Sequence, residues 1–171
     1  MDFFEVIEAR RSVRIYADLD IEEEKLLKIL NAANRAPSAG NLQSYEIYLA
    51  RDPAIRGILA AASLQQEFIS KAPVTLVFCA NRDLAIRKYR IRGERLYAPQ
   101  DATIACTFAM LAANALGLAT VWVGAFEDEK IRLAIGAPEG VQPVALLPIG
   151  YAAECPAATP RRSLSDLVHR L

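Results

Sequence analysis

Histidine is nearly absent from this chain of 171 residues: His169, close to the C-terminus, is the only one. A Ser-His-Asp or Cys-His arrangement needs a buried, positioned imidazole, and a residue on the polar side of a last helix does not provide it; its ordinary role is that of a solvated cation near a helix end. Cysteine is scarce too. Cys79, Cys106 and Cys155 are odd in number and far apart, with no Cys-x-x-Cys pair. An iron–sulfur module, a zinc ribbon and a disulfide framework therefore all lack their ligands, and buried, reduced thiols in a cytoplasmic protein are the expectation. No Gly-x-Gly-x-x-Gly and no Walker loop is present, so neither usual nucleotide cradle is available. No carboxylate pair stands at a spacing suited to metal binding or acid/base work. Twenty basic side chains against twenty acidic ones give zero formal net charge, which argues against a general nucleic-acid binder. Any chemistry has to come from a bound cofactor.

Linkers are missing as well. No repeat, low-complexity tract or Gly/Ser stretch divides the chain, and its length suits a single domain over residues 1–171. A hydrophobic share of 53% with 23% charge fits an ordered globular protein. The opening MDFFEVIEARRSVR places its basic residues after the apolar ones, the reverse of a secretory leader. Ala102–Phe126 carries no charge and is long enough to cross a bilayer. Asn114, Gly117 and the β-branched, aromatic Ala119–Val123 divide it instead into a central helix and a buried strand, so no membrane span is expected.

What is present reads as helices interleaved with strands. Asp2 can cap a short helix with Phe3, Phe4 and Ile7 on one face. A second helix is predicted after Asp20, with Glu23 as the return half of a capping box and Leu26, Leu27, Leu30 and Ala33 as its stripe. Pro37 ends it, and a strand follows at Tyr45–Leu49. A helix from Pro53 to Ala62 leads to Pro73–Ala80, a continuous apolar run typical of a strand covered on both faces. Arg82–Gln100 is basic and reads as irregular or partly helical. Asp101 then opens an Ala-rich helix on which Ile104, Phe108, Leu111 and Ala115 recur at helical spacing. A strand around Trp122, a helix from Asp128 to Ile135 ending at Gly136, and a strand from Pro143 to Ile149 complete the middle. Ser163 and Asp166 suggest a capping box for a final helix carrying Leu164, Leu167, Val168 and Leu171. The class predicted is three-layer α/β.

Four segments could carry chemistry. Arg10-Arg11-Ser12-Val13-Arg14 supplies forked donors suited to a phosphate monoester, or simply complements the end of the first helix. Arg161-Arg162 is a second cluster, or an exposed tail. In Pro37–Gln43 small residues let the backbone approach a flat ligand while Asn41 and Gln43 offer amides; it also reads as an ordinary polar turn. Trp122–Phe126 leaves a buried strand where ligands of open α/β sheets commonly sit, or through a plain glycine turn. The two arginine clusters become informative only if the fold brings them together. The basic stretch holding Arg87, Lys88, Arg90, Arg92 and Arg95 with Tyr89 and Tyr97 interleaved is either a substrate entrance, attracting an anionic ligand, or a solvated helix face.

These segments, in this order, resemble the FMN-dependent nitroreductase family. The resemblance runs through RRSVR, APSAGNLQ, QDATIA, ALGLATVWVGAF, PEGVQPVALLPIGY and PRRSL, nearly the whole chain. It implies a three-layer sandwich with a central sheet flanked by helices, in an intertwined homodimer with FMN at each of two interface sites and NAD(P)H as co-substrate. By the same resemblance Arg10, Arg11, Ser12 and Arg14 approach the flavin phosphate and pyrimidine edge, with Arg161 and Arg162 joining the phosphate site. Pro37, Ser38, Ala39 and Asn41 come from the other subunit, Val123 and Gly124 line the ring, and Gln65 or Gln66 supplies an amide. Arg14 acts as an electrostatic stabiliser, no side chain is itself the catalyst, and donor and acceptor use one flavin face in turn. Two departures bear on the acceptor. Gln43-Ser44-Tyr45 stands where many members have Gln-Pro-Trp, and no long lid insertion is evident. A nitroaromatic, a quinone or a similar small molecule fits, as does the dehalogenating, flavin-cleaving or heterocycle-oxidising chemistry of relatives. A non-catalytic flavin-binding module and a cofactor-free structural dimer are the rival classes.

Overall fold

The computed structural model describes residues 2–171. Helix α1 spans Phe3–Ala9; the Asp2 carboxylate accepts from the N–H groups of Phe4 and Glu5, and Glu5 returns the bond in a full capping box. Helix α2 covers Glu23–Asn34, strand β1 Tyr45–Ala50, α3 Pro53–Ala62, α4 Phe68–Lys71 and β2 Val74–Asn81. Helix α5 runs over Arg82–Arg92, a π turn over Gly93–Tyr97 and α6 over Ala98–Ala115. Strand β3 is the pair Ala119–Thr120, α7 is Asp128–Ala134, β4 is Val141–Gly150 and α8 is Leu164–Leu167.

The strands form one sheet in the order β1-β2-β4-β3, and every neighbouring pair is antiparallel. Strand β2 is central and buried on both faces, as its unbroken apolar run demands. Leu76 and Phe78 join Leu147 and Ile149 of β4 in a core with Leu26 and Ile29 of α2 and Ala105 and Ala109 of α6. Val77, Cys79 and Leu146 pack on the other side with Leu59 of α3, Ile69 of α4 and Ile131 of α7. Two helical layers thus enclose the sheet. The predicted three layers are present, but the rule that placed a ligand beyond the carboxyl ends of parallel strands has no purchase on an antiparallel sheet.

Several element-level expectations need correction. Helix α2 starts two residues later than its predicted capping box: Glu22 is the cap residue and makes no side-chain cap bond. Its buried stripe is Leu26, Ile29 and Ala33, while Leu27 is exposed. Arg82–Gln100 is helical, and Asp101 lies inside α6 rather than opening it. On α6 the small residues Ala102, Ala105, Cys106, Ala109 and Ala113 face the core, letting α2 and the sheet approach closely, and Phe108 looks outward. The predicted Trp122 strand shrinks to two residues, after which Val123 alone bridges to Leu146. The last helix is a single turn whose Ser163 side chain accepts from the Asp166 N–H, with every apolar residue exposed; His169 lies beyond it. Cys79 and Cys106 are buried, but Cys155 is exposed. Among the described residues no helix is long and apolar enough to cross a membrane.

Candidate functional site

The first arginine cluster leaves α1 in extended geometry at Arg10 and is then stitched between two edges. Ser12 bridges Thr120 of β3 in parallel register, and the Val13 N–H donates to the Thr120 carbonyl at 3.1 Å. Further on, the Arg14 and Ile15 N–H groups both donate to the Glu154 carboxylate, and Ala17 donates to the Tyr151 carbonyl at 2.8 Å. Val13 points into the core, so in extended backbone its neighbours Ser12 and Arg14 turn the opposite way. The Arg14 guanidinium lies over the Phe68 ring, 5.8 Å from its centre. Together with Tyr16, Asp18 and Lys71 they line a cavity of about 520 Å³. Burial holds the Tyr16 phenol well above its ordinary pKa, and its hydroxyl donates to the Val13 carbonyl at 2.9 Å.

Arg161, 147 positions from Arg14 in the chain, is close enough to act on this cluster. Partial burial first, then the positive charges of Arg161 and Arg11, draw the Arg10 pKa below its ordinary value. Among the described residues none of Arg10, Arg11, Arg14, Arg161 and Arg162 forms an ion pair with a carboxylate. Arg11 donates to the carbonyls of Glu8 and Arg10, and Arg162 to that of Asp166. Like charges held together without a carboxylate are unfavourable unless an anion completes them.

Beside this cluster runs the stretch after β3. Val123 is buried and exchanges both backbone bonds with Leu146 at 2.9 Å, while Gly124 is exposed. The Gln66 amide donates to the carbonyls of Ser63 and Ala125, at 2.8 and 3.1 Å, so Gln66 is tied to this stretch. Gln65 is exposed, at a φ of 59°.

Pro37–Asn41 stands apart. Pro37, Ser38 and Ala39 line a cavity of about 590 Å³ with Arg95, Tyr97 and Ile104, and it shares no lining residue with the Arg14 cavity. Gly40, Asn41 and Gln43 all have φ between 52° and 55°. A side chain at Gly40 would begin 2.1 Å from the Tyr89 hydroxyl. The loop is fixed from beneath by Asp101, only 2% exposed, whose carboxylate accepts from the Ala39 N–H at 2.9 Å and from the Ser44 hydroxyl at 2.6 Å. Within one chain, then, Ser12 and Val13 are tied to Thr120 at the start of the stretch that holds Val123 and Gly124, Gln66 is tied to Ala125 at its end, Arg10 feels the charge of Arg161, and Pro37–Ala39 line a separate cavity. Sequence reasoning missed Asp101 as the anchor of this loop, Phe68 beneath Arg14 and Glu154 behind it. An acid inside an otherwise apolar helix was the one available signal, and it pointed to Asp101. Among the described residues no group of three or more His, Cys, Asp and Glu side chains could hold a metal ion.

Residues 7–66 and 58–151 match the model of the Nitroreductase family. An FMN reductase [NAD(P)H] of Bacillus subtilis is 34% identical over 174 residues, covering 94% of this chain and 70% of its own. An NADH dehydrogenase of Thermus thermophilus is 33% identical over 172 residues, 85% of this chain and 84% of its own. Among solved structures, NfrA2 of B. megaterium superposes with a TM-score of 0.92 at 28% identity, over 99% of this chain and 74% of that one.

Proposed function

The chain belongs to the nitroreductase family, and on that premise we propose that it is an NAD(P)H-dependent oxidoreductase holding FMN non-covalently between two copies of itself. The carrying observation is that Arg10, Arg11 and Arg14 lie within five positions on one extended segment, none of them paired with a carboxylate, with the charge of Arg161 felt at Arg10. That donor set fits a phosphate monoester, so the residues present suit the group. Arg10, Arg11, Ser12, Arg161 and Arg162 hold the phosphate end, and Arg14, steadied on Phe68, faces the pyrimidine edge. Val123 and Gly124 offer a buried strand end and a side-chain-free surface to the ring. Gln66, anchored to Ala125, is the better placed of the two glutamines.

Bound FMN supplies the hydride-accepting and hydride-donating centre. The chain's own contribution is electrostatic and steric: a fixed cation at Arg14 stabilises negative charge gathering at its edge, and no general base is needed. Donor and acceptor enter by the same opening in turn, so initial-rate plots should be parallel, as in ping-pong kinetics. The acceptor is a small organic molecule of the nitroaromatic or quinone kind.

Pro37, Ser38, Ala39 and Asn41 complete the site from the second copy. Their distance from the arginine cavity within one chain supports this, as do the exposed Phe3, Phe4 and Ile7 of α1 and the exposed apolar tail. The buried, reduced Cys79 and Cys106 are in keeping with a cytoplasmic location. The test is to denature the purified protein and identify the released chromophore by chromatography. FMN is the expected result. FAD as the native ligand, or no flavin after reconstitution, defeats the reading.

A further inference from the structure

Helix α5 and the π turn after it combine features found nowhere else among the described residues. Arg87, Lys88, Arg90, Arg92 and Arg95 fall within nine positions, and Glu94 is the only acid between Leu84 and Gln100. That acid is already taken, by Arg82. Among the described residues none of the five cations reaches a carboxylate. Other exposed helix faces of this protein are built differently: α2 pairs Glu24 with Lys28, and α7 pairs Glu129 with Arg132. A face made only for solubility resembles those.

Two of these cations, Lys88 and Arg92, are instead parked on aromatic rings. Tyr89 and Tyr97 meet edge to face, 5.1 Å between centres. Lys88 stands 5.3 Å from the centre of Tyr89 and Arg92 5.4 Å from that of Tyr97, with the Arg92 Nε donating to the Tyr97 hydroxyl at 2.9 Å. Such contacts orient a cation without neutralising it, leaving the terminal guanidinium N–H groups of Arg92 free for an anion. The backbone is unusual at the same place. Arg90 sits at φ 53°, ψ −145° inside the helix, and a π turn follows directly; both features concentrate at functional sites.

The patch also adjoins the proposed redox site. The Lys88 ammonium donates to the Gly40 carbonyl at 3.3 Å. Arg95 and Tyr97 line the same cavity as Pro37, Ser38 and Ala39. We propose that Arg87, Lys88, Arg92 and the Tyr89–Tyr97 pair form a subsite for the 2′-phosphate of NADPH, and so set the choice of NADPH over NADH. This rests on the reading of the chain as an NAD(P)H-dependent oxidoreductase. A compact cluster on a chain of zero net charge suits one dianionic phosphate monoester better than an extended polyanion.

The test is calorimetric binding of adenosine 2′,5′-bisphosphate and of 5′-AMP to the FMN-loaded protein, with NADPH and NADH turnover measured in parallel. The bisphosphate should bind about tenfold tighter or better, by the strength of charge-assisted contacts to phosphate. In the double variant Arg87→Gln/Arg92→Gln that preference should collapse, and kcat/KM for NADPH should fall about tenfold relative to NADH, the same interaction being lost. Arg87→Lys/Arg92→Lys keeps the charge and should retain most of the preference, which separates loss of recognition from loss of fold. Equal affinity for the two nucleotides overturns the proposal, as does a preference that survives the glutamine variant. So does tighter binding of a single-stranded oligonucleotide, or a bisphosphate preference with an unmoved NADPH-to-NADH ratio. A protein without flavin, or one that oxidises neither donor, defeats the redox reading alone, because nucleotide binding can still be compared on it.

Discussion

Asp101 receives hydrogen bonds from the Ala39 N–H, the Ser44 N–H and the Ser44 hydroxyl while almost wholly removed from solvent. Those donors belong to a loop with three positive-φ residues, so the carboxylate holds a backbone that would otherwise relax. Asp101→Ala leaves buried donors unpartnered, which costs about 1–3 kcal/mol. Urea titration should show that loss, with faster flavin release, and Asp101→Asn should recover part of both. Glu22 makes a different point. Hydrogen bonding from Tyr151, aided by Lys25, holds its carboxyl at about 2, below the ordinary 4.5. The folded pKa is the lower one, so the stabilisation is complete above 4.5 and is lost as pH falls through about 2. Acid unfolding of Glu22→Gln should be correspondingly less steep across that window.

Among the elements, α5 departs furthest from regular geometry. Arg90 holds a backbone conformation that favours glycine, a strain of about 1–3 kcal/mol for any other residue. Arg90→Gly should therefore stabilise the fold by about 1 kcal/mol once glycine's entropy is deducted, a rise of about 2–4 °C in a melting scan for a chain of this size. Elements with hard punctuation were legible in the sequence. Asp2 and Pro53 mark helix starts, Gly136 a helix end, and the uniform apolar run of β2 could only be a doubly covered strand. Where punctuation is missing the reading failed. The basic residues of α5 show no apolar period, so that stretch read as irregular or only partly helical. On α6 alanine serves both core and surface, and the larger side chains drew attention to the outward face. Glu22 displaced Asp20 as cap because the chain between them is still held extended toward Ile21, a core residue. Of the site, the arginines and the Pro37 loop stand out by composition alone, but the influence of Arg161 on Arg10 needed the fold, and the anchoring of the loop by Asp101 needed burial.

On the scale of the molecule, every residue from Ala157 to Leu171 is exposed, Leu164, Leu167 and Val168 among them. Apolar side chains on an unsupported tail call for a surface to cover, and a second copy of the chain offers one. Removing residues 157–171 should yield monomers by light scattering and abolish FMN retention, since Arg161 and Arg162 leave with the tail. The proposed division of the site between the Arg14 cavity of one copy and the Pro37 cavity of another has a thermodynamic consequence. If neither half binds alone, cofactor affinity is a function of protein concentration. Each dimer that dissociates discards two binding sites, and each bound FMN favours association by mass action. Apparent FMN affinity should then weaken steadily on dilution below the dimer dissociation constant, and added FMN should shift the dimer equilibrium by the same factor. With a site shared in this way the protein would sense its own abundance: scarce copies would stay apart and empty, and plentiful ones would assemble and load together.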